Sequence, residues 1–321
     1  MKSMKKSIRK ILLTVVIVLA VVITGGSFFM LSYSLQPQEN KGRNVKESFA
    51  YTCKRYPEVK SWVDSLWRAH LLRDTFILIN GERQHAVFAA ASPRTGRTAI
   101  LVHGYAVSYI SMLPIARIYA MTGYNILLPD LYGHGLSDGR DVRMGWKDRL
   151  DVLRWSALAD TLFRDSTGHT QQVLHGISMG AATVMNVSGE KTPAYLRCFV
   201  EDCGYTSVWD EFRYELSDRF GLPVFPLMYT TSALCKLRYG WSFGEASSLK
   251  QVAKCRKPML FIHGDNDHFV PTWMVRPLYA AKPQPKELYI THGSQHAQSY
   301  RDHRKEYVAR IQAFVGRYIR K

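Results

Sequence analysis

The stretch Gln171 to Ala182, QQVLHGISMGAA, constrains this chain more than any other. Val173, Leu174 and His175 make a short, largely apolar run into Gly176-Ile177-Ser178-Met179-Gly180, and small residues with fair helix propensity follow. That order predicts a strand, a sharp turn and a helix. A serine at the tip of a strained strand-to-helix turn needs neighbours without bulk two positions before and after it, and Gly176 and Gly180 supply them. The helix would aim its positive end at Ser178, where an oxyanion develops in acyl transfer. A chain with 22 glycines can produce this pattern by chance, so the remaining sequence must supply the partner chemistry.

The first forty residues decide where that chemistry takes place. Lys2, Lys5, Lys6, Arg9 and Lys10 precede 21 residues, Ile11 to Leu31, without a charge. At a rise of about 1.5 Å per residue the run makes about 31 Å of helix, enough to cross a bilayer. The apolar part of a cleaved signal peptide is usually only about 7 to 15 residues and ends in a small-x-small site. Here Phe28, Phe29 and Met30 close the run, so an uncleaved signal anchor is expected, with Ser32-Tyr33-Ser34 as the alternative cleavage region. The basic tail stays in the cytoplasm and everything after Gln36 lies outside. With cleavage, the domain is secreted instead. The expected organisation is a cytoplasmic tail over 1–10, an anchor over 11–31, a polar tether over 32–47 and a globular domain over 48–321. If the first segment is only an anchor, removing residues 1–35 leaves a soluble, active domain.

Five positive charges in the tail leave +12 of the net +17 for the remainder. A basic exported domain suits proximity to anionic lipid or wall polymer, although a solvated surface explains the same charge. The basic residues are dispersed and lack zinc-finger or basic-heptad spacing, so nucleic acid is not an expected partner. Cys53, Cys198, Cys203, Cys235 and Cys255 all follow the anchor, where an oxidising compartment could pair some of them. Their odd number leaves one without an intramolecular partner. Cys198 and Cys203 flank a buried strand and suit the role of small hydrophobes, and no CxxC or Cys/His spacing suggests a metal site.

Beyond the tether, an amphipathic helix over Val59 to Leu72 carries Trp62 and Trp67, expected in the core. Phe76–Ile79 and His85–Ala90 form a hairpin about Asn80-Gly81. Strands are expected at Thr98–Val102, Asn125–Leu128, Cys198–Glu201, Pro258–Ile262 and Glu287–Ile290, with helices between them and a last amphipathic helix from Tyr307 to Ile319. Alternation lapses over about 206–250, where Pro223, Pro226 and many aromatics suit a substrate-covering insertion. The fold class is α/β, a mostly parallel sheet with helices on both faces.

A serine hydroxyl needs a histidine to take its proton and an acid to hold that histidine in the right tautomer. After Ile262 the chain reads His263-Gly264-Asp265-Asn266-Asp267-His268-Phe269-Val270-Pro271, and after Ile290 it reads Thr291-His292-Gly293-Ser294-Gln295-His296-Ala297. Serine, acid and histidine therefore follow one another at successive strand ends. At this point the chain resembles the α/β-hydrolase family from roughly Asp74 onwards, and within it the exported, singly anchored bacterial hydrolases described as serine aminopeptidase-like. The resemblance implies an α/β-hydrolase fold with a lid insertion, Ser178 as nucleophile, Asp267 as orienting acid and His296 as general base. The family pattern HGxxDxxVP selects Asp267 over Asp265, which suits a turn residue. His292 lies too near its strand and His303 too near the final helix; His268 suits a loop role and His134 a structural turn. Asp202, at another strand end, is the alternative acid. The oxyanion hole maps to the backbone N–H groups of Met179 and Tyr105, although Tyr105 also suits a lining role. Ile177 stands where a common family form has histidine, which alters packing near the elbow and not the proton relay.

A serine hydrolase cleaving a carboxylic ester through an acyl-enzyme, without metal or organic cofactor, is the leading expectation, with a small-molecule ester or amide as its partner. An aminopeptidase would need an acid near the site to hold the substrate's amine; Asp210, Glu211, Glu215 and Asp218 lie in the insertion. Ser178, Asp267 and His296 are equally compatible with a thioester hydrolase, and the fold is compatible with a non-catalytic binding protein.

Overall fold

The computed structural model describes residues 2–37, 44–166 and 168–320. Helix α1 (Lys2–Leu35) is continuous and is long and apolar enough to cross a membrane, with a mean hydropathy of 2.6 in its most apolar part. It overruns the expected end of the anchor by one turn. Helix α2 (Val45–Arg55) starts inside the segment expected to be tether, and residues 38–43 of that tether lie outside the described residues. Asn44 caps α2 by accepting the Glu47 N–H, and Pro57 opens α3 (Pro57–Arg68), where its missing N–H costs nothing. Trp62 packs on the core, but Trp67 is 58% exposed, contrary to expectation, because it falls on the solvent face of α3.

The hairpin β1 (Arg73–Ile79) and β2 (Glu82–Ala89) turns at Asn80 and Gly81, both at positive φ, as expected. There follow β3 (Arg97–Val102), α4 (Leu113–Met121), β4 (Asn125–Pro129), α5 (Asp148–Phe163), β5 (Gln171–Ile177), α6 (Met179–Ser188) and β6 (Leu196–Asp202). The insertion folds as α7 (Val208–Phe220), α8 (Leu227–Tyr239) and α9 (Ser248–Val252). The chain ends with β7 (Met259–Gly264), α10 (Val275–Ala281), β8 (Lys286–Thr291), α11 (Ser299–Asp302) and α12 (Arg304–Tyr318).

The eight strands are ordered β1-β2-β4-β3-β5-β6-β7-β8, antiparallel over the first two pairings and parallel thereafter. This is the expected mostly parallel sheet. Its central strands are apolar on both sides because helices cover both faces. Ile100 and Leu174 point into one layer with Trp155 and Met185, while Ala99, Leu101 and Val173 point into the other with Ile115, Tyr307 and Phe314. The carboxyl ends of β3, β5, β6, β7 and β8 therefore share one edge, where an open α/β sheet presents its binding crevice.

The first layer also holds Leu31 and Leu35 of α1, which are 1% and 0% exposed. The Leu35 carbonyl accepts the Val142 N–H at 2.7 Å, and the Ser27 and Thr230 hydroxyls lie 2.7 Å apart. The last turns of the first helix therefore belong to the body, beyond the role of an anchor alone that the sequence leads one to expect. All five cysteines are free thiols; Cys53 is half-buried and the others are buried.

Candidate active site

The turn between β5 and α6 holds Ser178 at φ 59° and ψ −121°, a conformation an L-residue adopts only under strain worth about 1–3 kcal/mol. The Ser178 N–H donates to the Asp202 carbonyl at 2.8 Å, and its own carbonyl accepts the Ala182 N–H at 3.0 Å. The two flanking glycines are needed for close approach. A Cβ at Gly176 would lie 2.1 Å from the Gly180 carbonyl oxygen, and one at Gly180 would lie 2.0 Å from that of Val102.

His296, on the loop after β8, brings Nε2 to 2.8 Å from Ser178 Oγ and Nδ1 to 2.8 Å from Asp267 Oδ2. The ring of Phe269 packs on His296 at 4.9 Å between centroids. The other Asp267 oxygen accepts the Phe269 and Val270 N–H groups at 2.9 and 3.0 Å. Burial alone would raise this carboxyl, but the hydrogen bonds from His263 and His296 outweigh it and hold the pKa at about 2. Asp267 is therefore ionised across the neutral range.

The competing residues are engaged elsewhere. Asp265 accepts from Gly293 N–H at 2.6 Å and lies 2.7 Å from His292 Nδ1, on the surface. His303 Nε2 lies 2.8 Å from the His292 carbonyl, and His268 pairs with Asn266 at 3.0 Å. Asp202 takes the Tyr307 hydroxyl at 2.8 Å, and burial pushes its carboxyl up to about 6 despite that bond. Tyr307 also contacts His175 at 3.2 Å, as does Tyr119, so a buried polar cluster underlies the elbow. Burial lowers His175 to about 3, which keeps it neutral.

Two loops shape the wall opposite His296. His103 accepts the Leu131 N–H at 2.9 Å, and His134 Nε2 accepts the Ala106 N–H at 3.2 Å while its Nδ1 faces the Tyr132 carbonyl at 2.9 Å. Gly104, before Tyr105, passes so close that a Cβ there would sit 3.4 Å from Ser178 Cβ. Met179 is the first residue of α6, whose leading N–H groups have no partner within the helix. Cys203 Sγ, Asp267 and His296 lie within 4.8 Å of one another. They do not fit a metal: Asp267 and His296 are spent on each other, and burial pushes the Cys203 thiol well up, away from the thiolate a metal needs.

Ser178 and Tyr105 open on a cavity of about 450 Å³ lined mainly by Met144, Phe212, Leu216, Met228 and Phe243. Glu211 and Glu215 of α7 stand in the same wall, as do Met30, Tyr33 and Ser34 of α1. The sequence placed those three α1 residues at the end of the apolar run and in the alternative cleavage region, and no pattern in it marked them as cavity lining. His263 was visible as part of a motif but not in its role: its Nε2 lies 2.9 Å from the Val270 carbonyl and 3.4 Å from Asp267 Oδ2, bracing the acid loop.

A family model described as serine aminopeptidase, S33, matches residues 94–210. The uncharacterized protein YqkD of Bacillus subtilis is 30% identical over 222 residues, which cover 69% of this chain and 72% of that protein. The chain belongs to the α/β-hydrolase family. Among solved α/β-hydrolase folds, the Pyrococcus furiosus esterase Pf2001 superposes with a TM-score of 0.63 at 20% identity, covering 79% of this chain and 96% of the esterase. The acylaminoacyl peptidase of Pyrococcus horikoshii gives 0.58 at 16% identity, over 78% of this chain and 42% of the peptidase. At these identities the two structures show the α/β-hydrolase fold, not a shared substrate.

Proposed function

We propose that the protein is a membrane-anchored serine hydrolase that cleaves carboxylic esters through an acyl-enzyme. Ser178 Oγ attacks the ester carbonyl carbon while His296 Nε2 takes its proton, and Asp267 stabilises the resulting imidazolium. The tetrahedral oxyanion accepts hydrogen bonds from the Met179 and Tyr105 N–H groups. Collapse breaks the bond to the alkoxy group, which leaves as the alcohol with the His296 proton. Water then attacks the acyl-enzyme, with His296 as base, and releases the acid and free Ser178. One observation carries this assignment: a strained serine lies 2.8 Å from a histidine that is itself 2.8 Å from an ionised, buried aspartate.

The largely apolar cavity favours an acyl group. A second reading, an aminopeptidase, draws on Glu211 and Glu215, carboxyl groups in the cavity wall able to face a substrate ammonium. For topology, residues 1–10 remain cytoplasmic, 11–31 span the membrane, 32–47 join the anchor to the domain, and 48–321 with the 206–250 lid lie outside. The burial of Leu31 and Leu35 supports retention of the anchor, since cleavage near Ser32–Ser34 would cut a packed helix.

The test is labelling by a fluorophosphonate probe, comparing the protein with Ser178→Ala. Labelling that disappears in the variant, followed by turnover of esters over aminoacyl amides, is the expected result. Aminoacyl amides as the better substrates favour the peptidase. No labelling of either folded protein favours a binding protein that keeps the fold.

A further inference from the structure

Helix α1 divides into two parts by exposure. Its residues 4–22 are exposed around the whole circumference. From there burial follows a helical period: Ser27, Leu31 and Leu35 are 3%, 1% and 0% exposed and face α8, where a Cβ at Gly26 would touch Leu227 at 3.2 Å. Met30, Tyr33 and Ser34 follow on the adjoining flank and line the cavity that Ser178 opens on. Tyr33 also packs edge-on against Phe220 of α7 at 5.6 Å.

The level of this contact along the helix matters. Apolar residues dominate from Ile11 to Leu31, polar Ser32 and Ser34 follow, and about 30 Å of helix fills the hydrocarbon core. Met30 and Tyr33 therefore sit where hydrocarbon gives way to headgroups. Phe28, Phe29 and Tyr33 there are 45%, 62% and 49% exposed, as aromatic residues are at membrane interfaces. The lid adds exposed Phe220, which packs on Tyr33, and exposed Leu222 and Phe225 in the segment joining α7 to α8. The cavity wall is thus continuous with the surface that meets the outer leaflet.

We infer that α1 is a working wall of the acyl site and that the substrate is an acyl ester resident in the outer leaflet, its chain entering the cavity along α1 between α7 and α8. The inference rests on the serine-hydrolase assignment above and adds the substrate's physical state and its path. A soluble ester would need no such wall, whereas a lipid chain reaches Ser178 without crossing water. For a soluble test ester, each methylene that moves from water into the cavity should raise kcat/KM about fourfold.

The test uses the full-length protein in lipid nanodiscs with a decyl fluorophosphonate carrying a diazirine on its terminal carbon. After reaction at Ser178 and photolysis, crosslinks should map to residues 26–37 and to α7 or α8. Ser178 adducts whose crosslinks fall only elsewhere, such as on α3 or α12, overturn the role of α1 while leaving the hydrolase assignment intact. No reaction at Ser178 overturns that assignment and this inference with it. As a second measurement, Ser34→Trp should lower the ratio of kcat/KM for the dodecanoyl over the butanoyl p-nitrophenyl ester at least tenfold. An unchanged ratio in the folded variant counts against the inference.

Discussion

Gly180→Ala tests whether close backbone approach, and not only the triad's identity, sets the reactivity of Ser178. The added Cβ would sit 2.0 Å from the Val102 carbonyl oxygen and 2.7 Å from that of His103, and Cβ atoms are essentially never found nearer than 3.0 Å. Both obstacles are backbone of β3 and the loop that follows it, which cannot swing aside as a side chain can. Helix α6 must therefore retreat by about 1 Å, carrying Ser178, two residues away, with it. The 2.8 Å contact between Ser178 Oγ and His296 Nε2 would then stretch beyond hydrogen-bond range. Misplacement by about 1 Å costs on the order of 100-fold in rate, or about 2.7 kcal/mol of transition-state stabilisation. Gly316→Ala, on α12 with nothing within 4 Å of its Cβ position, is the control, because it changes a helical glycine without a clash. The assay is kcat/KM for p-nitrophenyl butyrate beside the rate of fluorophosphonate labelling, with thermal unfolding of each variant. Gly180→Ala that labels at the rate of the unaltered protein would refute the steric account of the elbow.

Asp267→Asn should lower kcat by about 10³ to 10⁴-fold by favouring the wrong His296 tautomer, whereas Asp265→Asn, on the surface pair with His292, should leave kcat within about twofold; ester kinetics on both variants decides, and reversed effects would move the acid to Asp265. Asp148 is buried and accepts the Gly145 N–H, and burial pushes its carboxyl up to about 7 from the usual 3.8. Between those values the unfolded chain has lost a proton that the folded one keeps, so this group's contribution to stability declines as pH rises from about 4 to 7, by at most about 1.4 kcal/mol per pH unit. Urea unfolding of Asp148→Asn should show a flatter stability profile over that window, and an unchanged slope would point to another group.

The elbow was legible because its parts are consecutive: a strand, a serine between two glycines and a helix can be read in one window. The hairpin at Asn80-Gly81 and the alternation of strands and helices were legible for the same reason. The acid and histidine needed more. Asp265 and Asp267 have the same chemistry at the same strand end, and what separates them in space is loop closure, with the Phe269 and Val270 N–H groups turned onto Asp267 and the Gly293 N–H onto Asp265. In the sequence, only the family pattern distinguishes the two. The Asp202–Tyr307–His175 cluster joins residues more than 100 positions apart in part, and no local pattern announces it. The 206–250 segment read as a break in alternation, yet it holds three helices, one begun by Ser207 accepting the Asp210 N–H; packing of aromatic residues on the body fixes them where sequence periodicity is weak.

The last turns of α1 were hidden for a different reason, and they lead to the reverse of the outcome expected from an anchor alone. A helix that is apolar all round has no polar face against which a packing face could stand out, so Leu31 and Leu35 looked like the exposed leucines before them. In the fold they fill seats in the core, and burying each contributes about 1.5–3 kcal/mol. Removing residues 1–35 would forfeit both, expose their seats and leave the buried Val142 N–H without its Leu35 acceptor, a further cost of about 1–3 kcal/mol. The sum reaches the lower end of a domain's total stability of about 5–15 kcal/mol. Removing residues 2–22 deletes turns whose described side chains, those of 4–22, are all exposed. In detergent, the shorter deletion should therefore unfold near the temperature of the full chain and keep its short-ester activity, while the longer one should unfold far lower or aggregate. Equal melting temperatures and equal activity for the two truncations would mean that α1 rests against the body without supporting it.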